Sequence, residues 1–232
     1  MSLARKEAEL EANWPSEISN REAKQALADK LVQNLSSGQV IGAGSGTSSY
    51  LTLVSLAERG AEEQIDFAVV ATSIEIERTA LALGVRVQPL GQSPIDWGFD
   101  GADEVDPNGR LIKGRGGAMF REKLVIASQA KTYVVADESK KVTKLGEKFA
   151  VPVEVFPNSI DLVRNSLEAL GANKAPLRPA GGKDGPVVTE QGGVILDVSF
   201  SGDVPPEADL EAIPGVIATG VFDRYDYELL MV

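Results

Sequence analysis

Short apolar runs alternate with helix-length segments along the first half of this chain, and this alternation limits the folds available to it. Residues 67–70 are apolar and lead through a polar turn into a helix-like segment, Ile74–Leu83, which Gly84 closes; the same order of features starts at Val40. Repeated strand–helix–strand units with right-handed connections place helices on both faces of a parallel sheet. The pattern therefore predicts an α/β fold whose main domain is a doubly wound, Rossmann-like parallel sheet.

The first helix of this domain is predicted to begin at Ser19. Ser19 and Glu22 have the spacing of a capping box, in which each side chain bonds a backbone N–H group of the other residue. Ala23, Leu27 and Leu31 then share one face of a helix. We therefore expect a capped amphipathic helix ahead of the first strand.

A second, smaller domain is predicted from Val151 onward, where the alternation of strands and helices ends. A helix candidate at 161–170 is followed by a Gly- and Pro-rich stretch, by two apolar runs that flank Gly192 as in a hairpin, and by a strand at 216–222. This order of elements is typical of a small α+β domain. The predicted domains are a main domain of residues 1–150, to which the last strand in 223–232 returns, and a small domain of residues 151–222.

The composition excludes several kinds of chemistry. The chain has no Cys and no His, which rules out disulfides, Ser-His-Asp triads and metal sites built on thiolate or imidazole. Proton transfer must then fall to Asp, Glu, Lys, Tyr or water. The net charge of -11 argues against binding to nucleic acid or to an anionic membrane. No apolar run reaches the roughly 18 residues of a membrane span, and residues 1–6 lack an apolar signal segment, so we expect a cytoplasmic protein.

A glycine-rich turn follows the first strand and opens the next helix. Gly42, Gly44 and Gly46 alternate with small residues and precede the hydroxyl side chains of residues 47–49. Backbone N–H groups and hydroxyls at a helix N-terminus favour an anion such as phosphate. The glycine spacing differs from that of a dinucleotide-binding loop and from that of a P-loop, which disfavours NAD and ATP. A tight strand-to-helix turn without a ligand is the alternative interpretation.

Three carboxylates, those of Asp100, Asp103 and Glu104, come at the end of another apolar strand. Parallel sheets bind ligands beyond the carboxyl ends of their strands, so these residues are candidates for substrate contacts. The alternatives are an acidic turn or a helix cap. A metal site is the least favoured, because His is absent and Lys113 is near in the sequence.

A basic, glycine-rich loop at residues 113–118 leads into a helix whose first turn holds Glu122. Glycine permits positive φ and close backbone approach, so this loop is suited to surround an anionic or polyhydroxylated ligand. Glu122 either stabilises the helix N-terminus or, partly desolvated near the strand ends, acts as a general base. Lys140 follows a further strand end, where it is either a substrate ligand or part of a solvated charged loop.

In this order, the motifs resemble the type A ribose-5-phosphate isomerase family. The resemblance covers nearly the whole chain and rests on GAGSGTS at 42–48, DGADE at 100–104, KGRGGA at 113–118 with REK at 121–123, ADESK at 136–140 and VPVEV at 151–155. It implies the interconversion of D-ribose 5-phosphate and D-ribulose 5-phosphate (EC 5.3.1.6) in the non-oxidative pentose phosphate pathway, without metal or organic cofactor. It also implies a parallel α/β main domain with a smaller ferredoxin-like domain, and assembly as a homodimer or homotetramer.

The resemblance further implies a role for each matching residue. Glu122 matches the family's proton acceptor, which works through an enediolate. Asp100 and Asp103 match the aspartates that contact the sugar and assist ring opening. Lys113 and Lys140 match substrate-binding lysines. The predicted catalytic residues are Glu122, Asp100, Asp103 and Lys113, and the predicted substrate-binding residues are Ser45, Gly46, Thr47, Ser48, Asp100, Gly101, Ala102, Asp103, Lys113, Gly114, Arg115, Gly116 and Lys140.

Two departures from the family pattern and three rival functions accompany this prediction. Family members often continue past the last strand with a glycine-containing tail, whereas this sequence ends with Leu-Leu-Met-Val at 229–232. The family usually has Thr-Gly-Ser-Thr where this chain has Ser-Gly-Thr-Ser at 45–48; every hydroxyl is retained, so affinity should change more than chemistry. A sugar-phosphate sensor would keep the phosphate loop but would not need Glu122. An amino-sugar-phosphate deaminase is disfavoured because His is absent, and a CoA transferase normally has its nucleophilic Glu in a different motif.

Overall fold

The computed structural model describes Leu10 and residues 17–232 of the chain. The prediction about a signal segment concerns residues 1–6, which lie outside the described residues. The chain divides into two compact units. Unit 1 comprises the described residues up to Gly101, Arg121–Ser139 and Asp226–Val232, and unit 2 comprises Ala102–Phe120 and Lys140–Tyr225.

The regular elements of residues 17–232 are numbered in chain order. The helices are α1 (Arg21–Val32), α2 (Thr47–Glu62), α3 (Ile74–Leu83), α4 (Met119–Ile126), α5 (Ile160–Ala169) and α6 (Glu207–Glu211). The strands are β1 (Val40–Ala43), β2 (Ala68–Ala71), β3 (Arg86–Val87), β4 (Trp97–Gly101), β5 (Glu104–Val105), β6 (Leu111–Ile112), β7 (Thr132–Ala136), β8 (Val151–Val155), β9 (Ala172–Lys174), β10 (Val194–Phe200), β11 (Val216–Thr219), β12 (Val221–Phe222) and β13 (Glu228–Met231). Short 3-10 helices are formed by Glu138–Lys140 and Pro157–Ser159.

Unit 1 is built on a six-stranded parallel sheet in the order β13-β7-β4-β1-β2-β3. Successive side chains of a strand point to opposite faces of the sheet, so each strand contributes to two cores. Ile41 and Val69 belong to the large core that also contains side chains of α1, α2 and α3. Val40 and Val70 belong to a second cluster, with Val125 of α4. Helices therefore cover both faces, which confirms the predicted doubly wound α/β fold.

The predicted capping box at the start of α1 is wrong. The residue before the helix is Asn20, which has a left-handed φ of 51° and makes no side-chain capping bond. The Ser19 hydroxyl accepts a hydrogen bond from Nζ of Lys24 at 3.3 Å instead. The helix thus begins one residue later than a cap at Ser19 requires, because Asn20 occupies the position before its first turn.

Unit 2 contains two antiparallel sheets. The larger has the order β11-β8-β10-β9, and the smaller has the order β12-β6-β5. Val163 and Leu167 of α5 and Leu210 of α6 pack in one core with inward-facing residues of β8 and β10. The unit thus has the α+β composition that the sequence predicts.

The unit boundaries differ from the predicted domain ranges. Residues 102–120 and 140–150 belong to unit 2, because the hairpin of β5 and β6 pairs with β12. Residues 223–225 also belong to unit 2, while β13 pairs in parallel with β7 at the edge of the unit 1 sheet. These boundaries are set by pairing between strands that are about 110 residues apart in the chain. The residue pattern near either strand does not indicate this pairing. No helix in the described part of the chain is both long and apolar enough to cross a bilayer.

Candidate active site

Asp100 is held at the carboxyl end of β4 by backbone N–H groups. It lies on the sheet face that α4 covers, because it alternates with Phe99, whose ring is in the core on the opposite face. Its Oδ1 accepts hydrogen bonds from N–H of Gly101 at 2.7 Å and from N–H of Ser45 at 3.3 Å. The carboxylate is buried, with 7% of the residue exposed. Asp100 is therefore fixed to the glycine-rich loop that follows β1.

Gly44 makes this approach possible. Its N–H donates to the carbonyl of Phe99 at 2.8 Å, and a Cβ at this position would lie 2.3 Å from Cγ and 2.6 Å from Cα of Asp100. Any other residue would therefore force the two strand ends apart. The glycine at 44 is required because the backbone passes directly against the aspartate.

The same loop places hydroxyl groups at the N-terminus of α2. Gly46 precedes the helix with a φ of 85°, and Thr47 and Ser48 occupy its first turn. The hydroxyls of Ser45 and Thr72 are 2.7 Å apart in a hydrogen bond. Backbone N–H groups and the helix dipole make this end of α2 favourable for an anion.

Lys24 of α1 contributes a cation to this loop, although it is not among the site residues predicted from the sequence. Its Nζ donates to Oγ1 of Thr47 at 3.0 Å, and only 7% of the residue is exposed. A signal was present, because Lys24 shares the buried face of α1 with Leu27 and Leu31 at helical spacing. A lysine on an apolar face must have its ammonium satisfied by polar partners in the fold.

Glu122 lies in the first turn of α4, in the part of that helix that belongs to unit 1. The residue is only 5% exposed. A carboxylate withdrawn from water at the start of a helix has the kind of surroundings in which a Glu can act as a general base. The neighbouring Arg121 donates from its guanidinium to the carbonyl of Ala71 at the end of β2, at 3.1 Å, which ties the start of α4 to the sheet.

In unit 2, Asp103 lies close to the basic glycine-rich loop. Its N–H donates to the carbonyl of Ile112 at 2.8 Å, and its Oδ2 accepts from N–H of Arg115 at 3.3 Å. Gly114, with a φ of 86°, forms a turn in which its carbonyl accepts from N–H of Gly117 at 2.9 Å. The predicted site residues Ala102 and Gly116 are half-buried and exposed, respectively.

Lys113 is a buried lysine at the end of β6, with 3% of the residue exposed. Its N–H donates to the carbonyl of Gly220 at 2.9 Å, and its Nζ lies 5.4 Å from the centre of the Phe222 ring. An ammonium over an aromatic face is attracted by the ring's quadrupole. Gly220 therefore fixes the backbone of Lys113, and Phe222 of the adjoining strand β12 contacts its charge.

Lys140, which belongs to unit 2, is the last residue of the short 3-10 helix Glu138–Lys140. Its Nζ lies 5.9 Å from the centre of the Phe149 ring, and Cζ of Arg115 lies 4.1 Å from the same ring centre. Two of the predicted substrate-binding cations thus share one aromatic partner.

Comparison with known proteins matches residues 68–231 to the family model of ribose 5-phosphate isomerase A (phosphoriboisomerase A). The chain belongs to this family. It is 42% identical to ribose-5-phosphate isomerase A of Synechococcus sp. (strain WH7803), over 93% of this chain and 92% of the relative. It is 40% identical to the protein of the same name from Methanothermobacter thermautotrophicus, over 86% of this chain and 88% of that one.

Solved structures of this family share the fold. Ribose 5-phosphate isomerase A of Methanocaldococcus jannaschii superposes with a TM-score of 0.87 at 35% identity, over 92% of this chain and 95% of that one. A D-ribose-5-phosphate isomerase solved in complex with phospho-erythronic acid gives the same TM-score at 34% identity, again over 92% and 95% of the two chains.

Hydrogen bonds and cation–ring contacts link several of the predicted site residues within each unit. In unit 1 they connect Ser45 and Gly101 with Asp100. In unit 2 they connect Asp103 with Arg115, and the cationic groups of Arg115 and Lys140 both contact the aromatic ring of Phe149. Glu104, the third carboxylate of the acidic motif, is instead bonded to backbone groups of residues 146–149. Among the described residues, no cluster of Asp and Glu side chains is suited to hold a metal ion.

Proposed function

We propose that this protein interconverts D-ribose 5-phosphate and D-ribulose 5-phosphate. The observation that carries the proposal is that the acid at position 122, which matches the proton acceptor of the family, is a buried carboxylate in a chain that lacks His and Cys. An isomerase of this kind needs a base that alternates between carboxylate and carboxylic acid, and with His and Cys absent a Glu side chain is a group that can do so.

We propose Glu122 as the base for both proton transfers. After the sugar ring has opened, the carboxylate removes the proton from C2, and the C–H electron pair forms the double bond of an enediolate between C1 and C2. The carboxylic acid then returns the proton to C1. The C1 carbonyl becomes an alcohol and the C2 alcohol becomes a ketone once a proton has moved from O2 to O1.

We propose that Lys113 stabilises the negative charge of the enediolate. The nearly complete burial of this ammonium supports the role, because a positive charge acts most strongly on a developing oxyanion where water is excluded. Loss of one such donor typically costs about 3 to 4 kcal/mol in the transition state. Asp100 and Asp103 are proposed to hold sugar hydroxyls and to move the proton that opens the ring.

The phosphate of the substrate is proposed to bind at the N-terminus of α2. Support comes from the hydroxyls of 45–48, from the helix dipole and from the ammonium of Lys24, 3.0 Å from Oγ1 of Thr47. A related isomerase has been solved in complex with phospho-erythronic acid, which is a phosphorylated ligand like the proposed substrate. Arg115 and Lys140 are proposed as further substrate ligands.

The proposed function is tested by incubating the purified protein with ribose 5-phosphate and EDTA while ketose formation is followed. We expect turnover that EDTA does not affect. Absence of turnover together with micromolar binding of the sugar phosphate would favour the sensor instead. Light scattering on the same sample tests the proposed homodimer or homotetramer, expected at two or four times the chain mass of 24.6 kDa; cytoplasmic location remains a prediction.

Lys24→Met is expected to lower kcat/KM by roughly ten- to a hundredfold, mainly through a higher KM. The variant removes one charge-assisted contact to the phosphate, which is worth about 1.5–3 kcal/mol and is made equally in the ground state and the transition state. Initial-rate kinetics with ribose 5-phosphate measure the effect. Lys30→Met, on the exposed side of the same helix, is the matched control and should leave KM unchanged. An unchanged KM in Lys24→Met would contradict the placement of the phosphate.

A further inference from the structure

The ring of Phe149 contacts two proposed substrate ligands, Arg115 and Lys140. They lie 34 and 9 positions before it in the sequence. Arg115 lies with Cζ 4.1 Å from the ring centre, and Nζ of Lys140 lies 5.9 Å from it. Both distances are within the range in which an aromatic quadrupole attracts a cation. Because the two side chains carry like charges and are long, each would otherwise move apart into water.

The position of Phe149 is fixed by the completely buried carboxylate of Glu104, which is 0% exposed. Oε1 of Glu104 accepts from N–H of Lys148 and of Phe149, and Oε2 accepts from N–H of Gly146, each at 2.7 Å. Three charge-assisted bonds to one carboxylate hold the loop 146–149 in one conformation. Glu104 itself is part of β5, which pairs with β6.

The backbone of Arg115 is fixed as well. Its N–H donates to Oδ2 of Asp103 at 3.3 Å, and its carbonyl accepts from the guanidinium of Arg178 at 2.6 Å. Arg178 is in turn paired with Asp197, with Nε to Oδ2 at 3.0 Å. The side chain of Arg115 therefore extends from a rigid backbone onto a ring that is also held in place.

We infer that Phe149 is a positioning residue for substrate binding, which holds Arg115 and Lys140 ready to receive the anionic, hydroxyl-rich substrate, and that Glu104 acts through it by anchoring its loop. This inference rests on the proposed function. The benefit arises because two long cationic side chains that are already ordered lose less freedom when the substrate binds. Glu104 directly follows the proposed catalytic residue Asp103 in the sequence, but it has no contact with the substrate in this scheme.

The inference is tested first with Phe149→Leu. The ring is only half-buried, so the substitution should leave the melting temperature close to that of the wild type. We expect KM for ribose 5-phosphate to rise about tenfold, with kcat within threefold, because two cation–π contacts are lost. Phe149→Tyr retains an aromatic face and should restore KM to within about twofold. Phe156→Leu, at an exposed phenylalanine of unit 2, is the matched control and should change neither constant.

A second variant, Glu104→Gln, tests the anchoring role. Its amide would present N–H groups to at least one of the three backbone donors, so the loop should detach and KM should rise by a similar factor. If Glu104 acts through Phe149, the double variant should raise KM no further than the larger single change. Isothermal titration with phospho-erythronic acid provides a readout independent of turnover and should show the same order of affinities.

The outcomes separate this inference from the function on which it rests. A wild-type protein without isomerase activity would overturn the proposed function. An active wild type whose Phe149→Leu variant has unchanged KM and unchanged affinity for phospho-erythronic acid would overturn the positioning role alone. Failure of Phe149→Tyr to restore KM, or fully additive effects of the two single variants, would also contradict it.

Discussion

Glu122→Gln is expected to lower kcat by about three orders of magnitude while the protein folds and binds its ligand as the wild type does. The amide has nearly the shape of the carboxylate, but it cannot accept the proton from C2, and a positioned general base typically contributes a factor of 10²–10⁴. The residue is buried, so bulk water cannot easily take over the proton transfer. The effect should therefore lie in kcat rather than in KM.

The measurement combines steady-state kinetics, circular dichroism with thermal melting, and titration with phospho-erythronic acid. Glu62→Gln, at an exposed glutamate near the end of α2 in the same unit, is the matched control and should retain full activity. A Glu122→Gln variant with more than a tenth of the wild-type turnover would remove Glu122 from the role of proton acceptor.

Gly44→Ala is expected to lower kcat/KM by about a hundredfold or more and to destabilise the fold by about 1–3 kcal/mol. The added Cβ would lie 2.3 Å from Cγ and 2.6 Å from Cα of Asp100, so the backbone of the loop or of β4 must move. That movement breaks the bond from N–H of Ser45 to the Asp100 carboxylate. A displacement of about 1 Å at a reacting group is enough to cost two orders of magnitude in rate.

Gly38→Ala separates this steric effect from the general cost of replacing a glycine. Gly38 lies shortly before β1, the strand that Gly44 follows, and its φ of 84° disfavours alanine, but the added Cβ would meet nothing within 4 Å. It should therefore lose about 1–2 kcal/mol of stability, as measured by denaturant unfolding, and keep its kcat/KM. Wild-type kinetics in Gly44→Ala would show that the close approach to Asp100 is not needed for activity.

The parallel sheet of unit 1 could be predicted from the sequence because its signals are local. Apolar runs of strand length, helical spacing and closing glycines each depend on a few neighbouring residues, and the order of the elements then allows few topologies. Local patterns also explain the error at Ser19, since the spacing of a capping box does not specify which residue the backbone places at the cap position, and here that residue is Asn20.

The candidate site could be predicted only in part. The glycine-rich loop, the acidic motif and the basic loop are contiguous stretches whose residue types indicate their chemistry, and the predicted roles of Glu122, Asp100, Asp103 and Lys113 follow from a resemblance carried by those stretches. Lys24 was missed because its helix shows an amphipathic pattern with or without the lysine. The contact that distinguishes it is with Thr47, 23 positions further on.

Composition and short-range periodicity were sufficient to predict the fold class and the residue types available for proton transfer. Which polar groups meet became apparent only in the folded chain: Glu104 binds three backbone N–H groups more than 40 positions away, and Arg115 reaches the ring of Phe149. Such contacts form between segments brought together by strand pairing and core packing. Their energies are summed over the whole unit, so neither residue shows a local sequence signal for the contact.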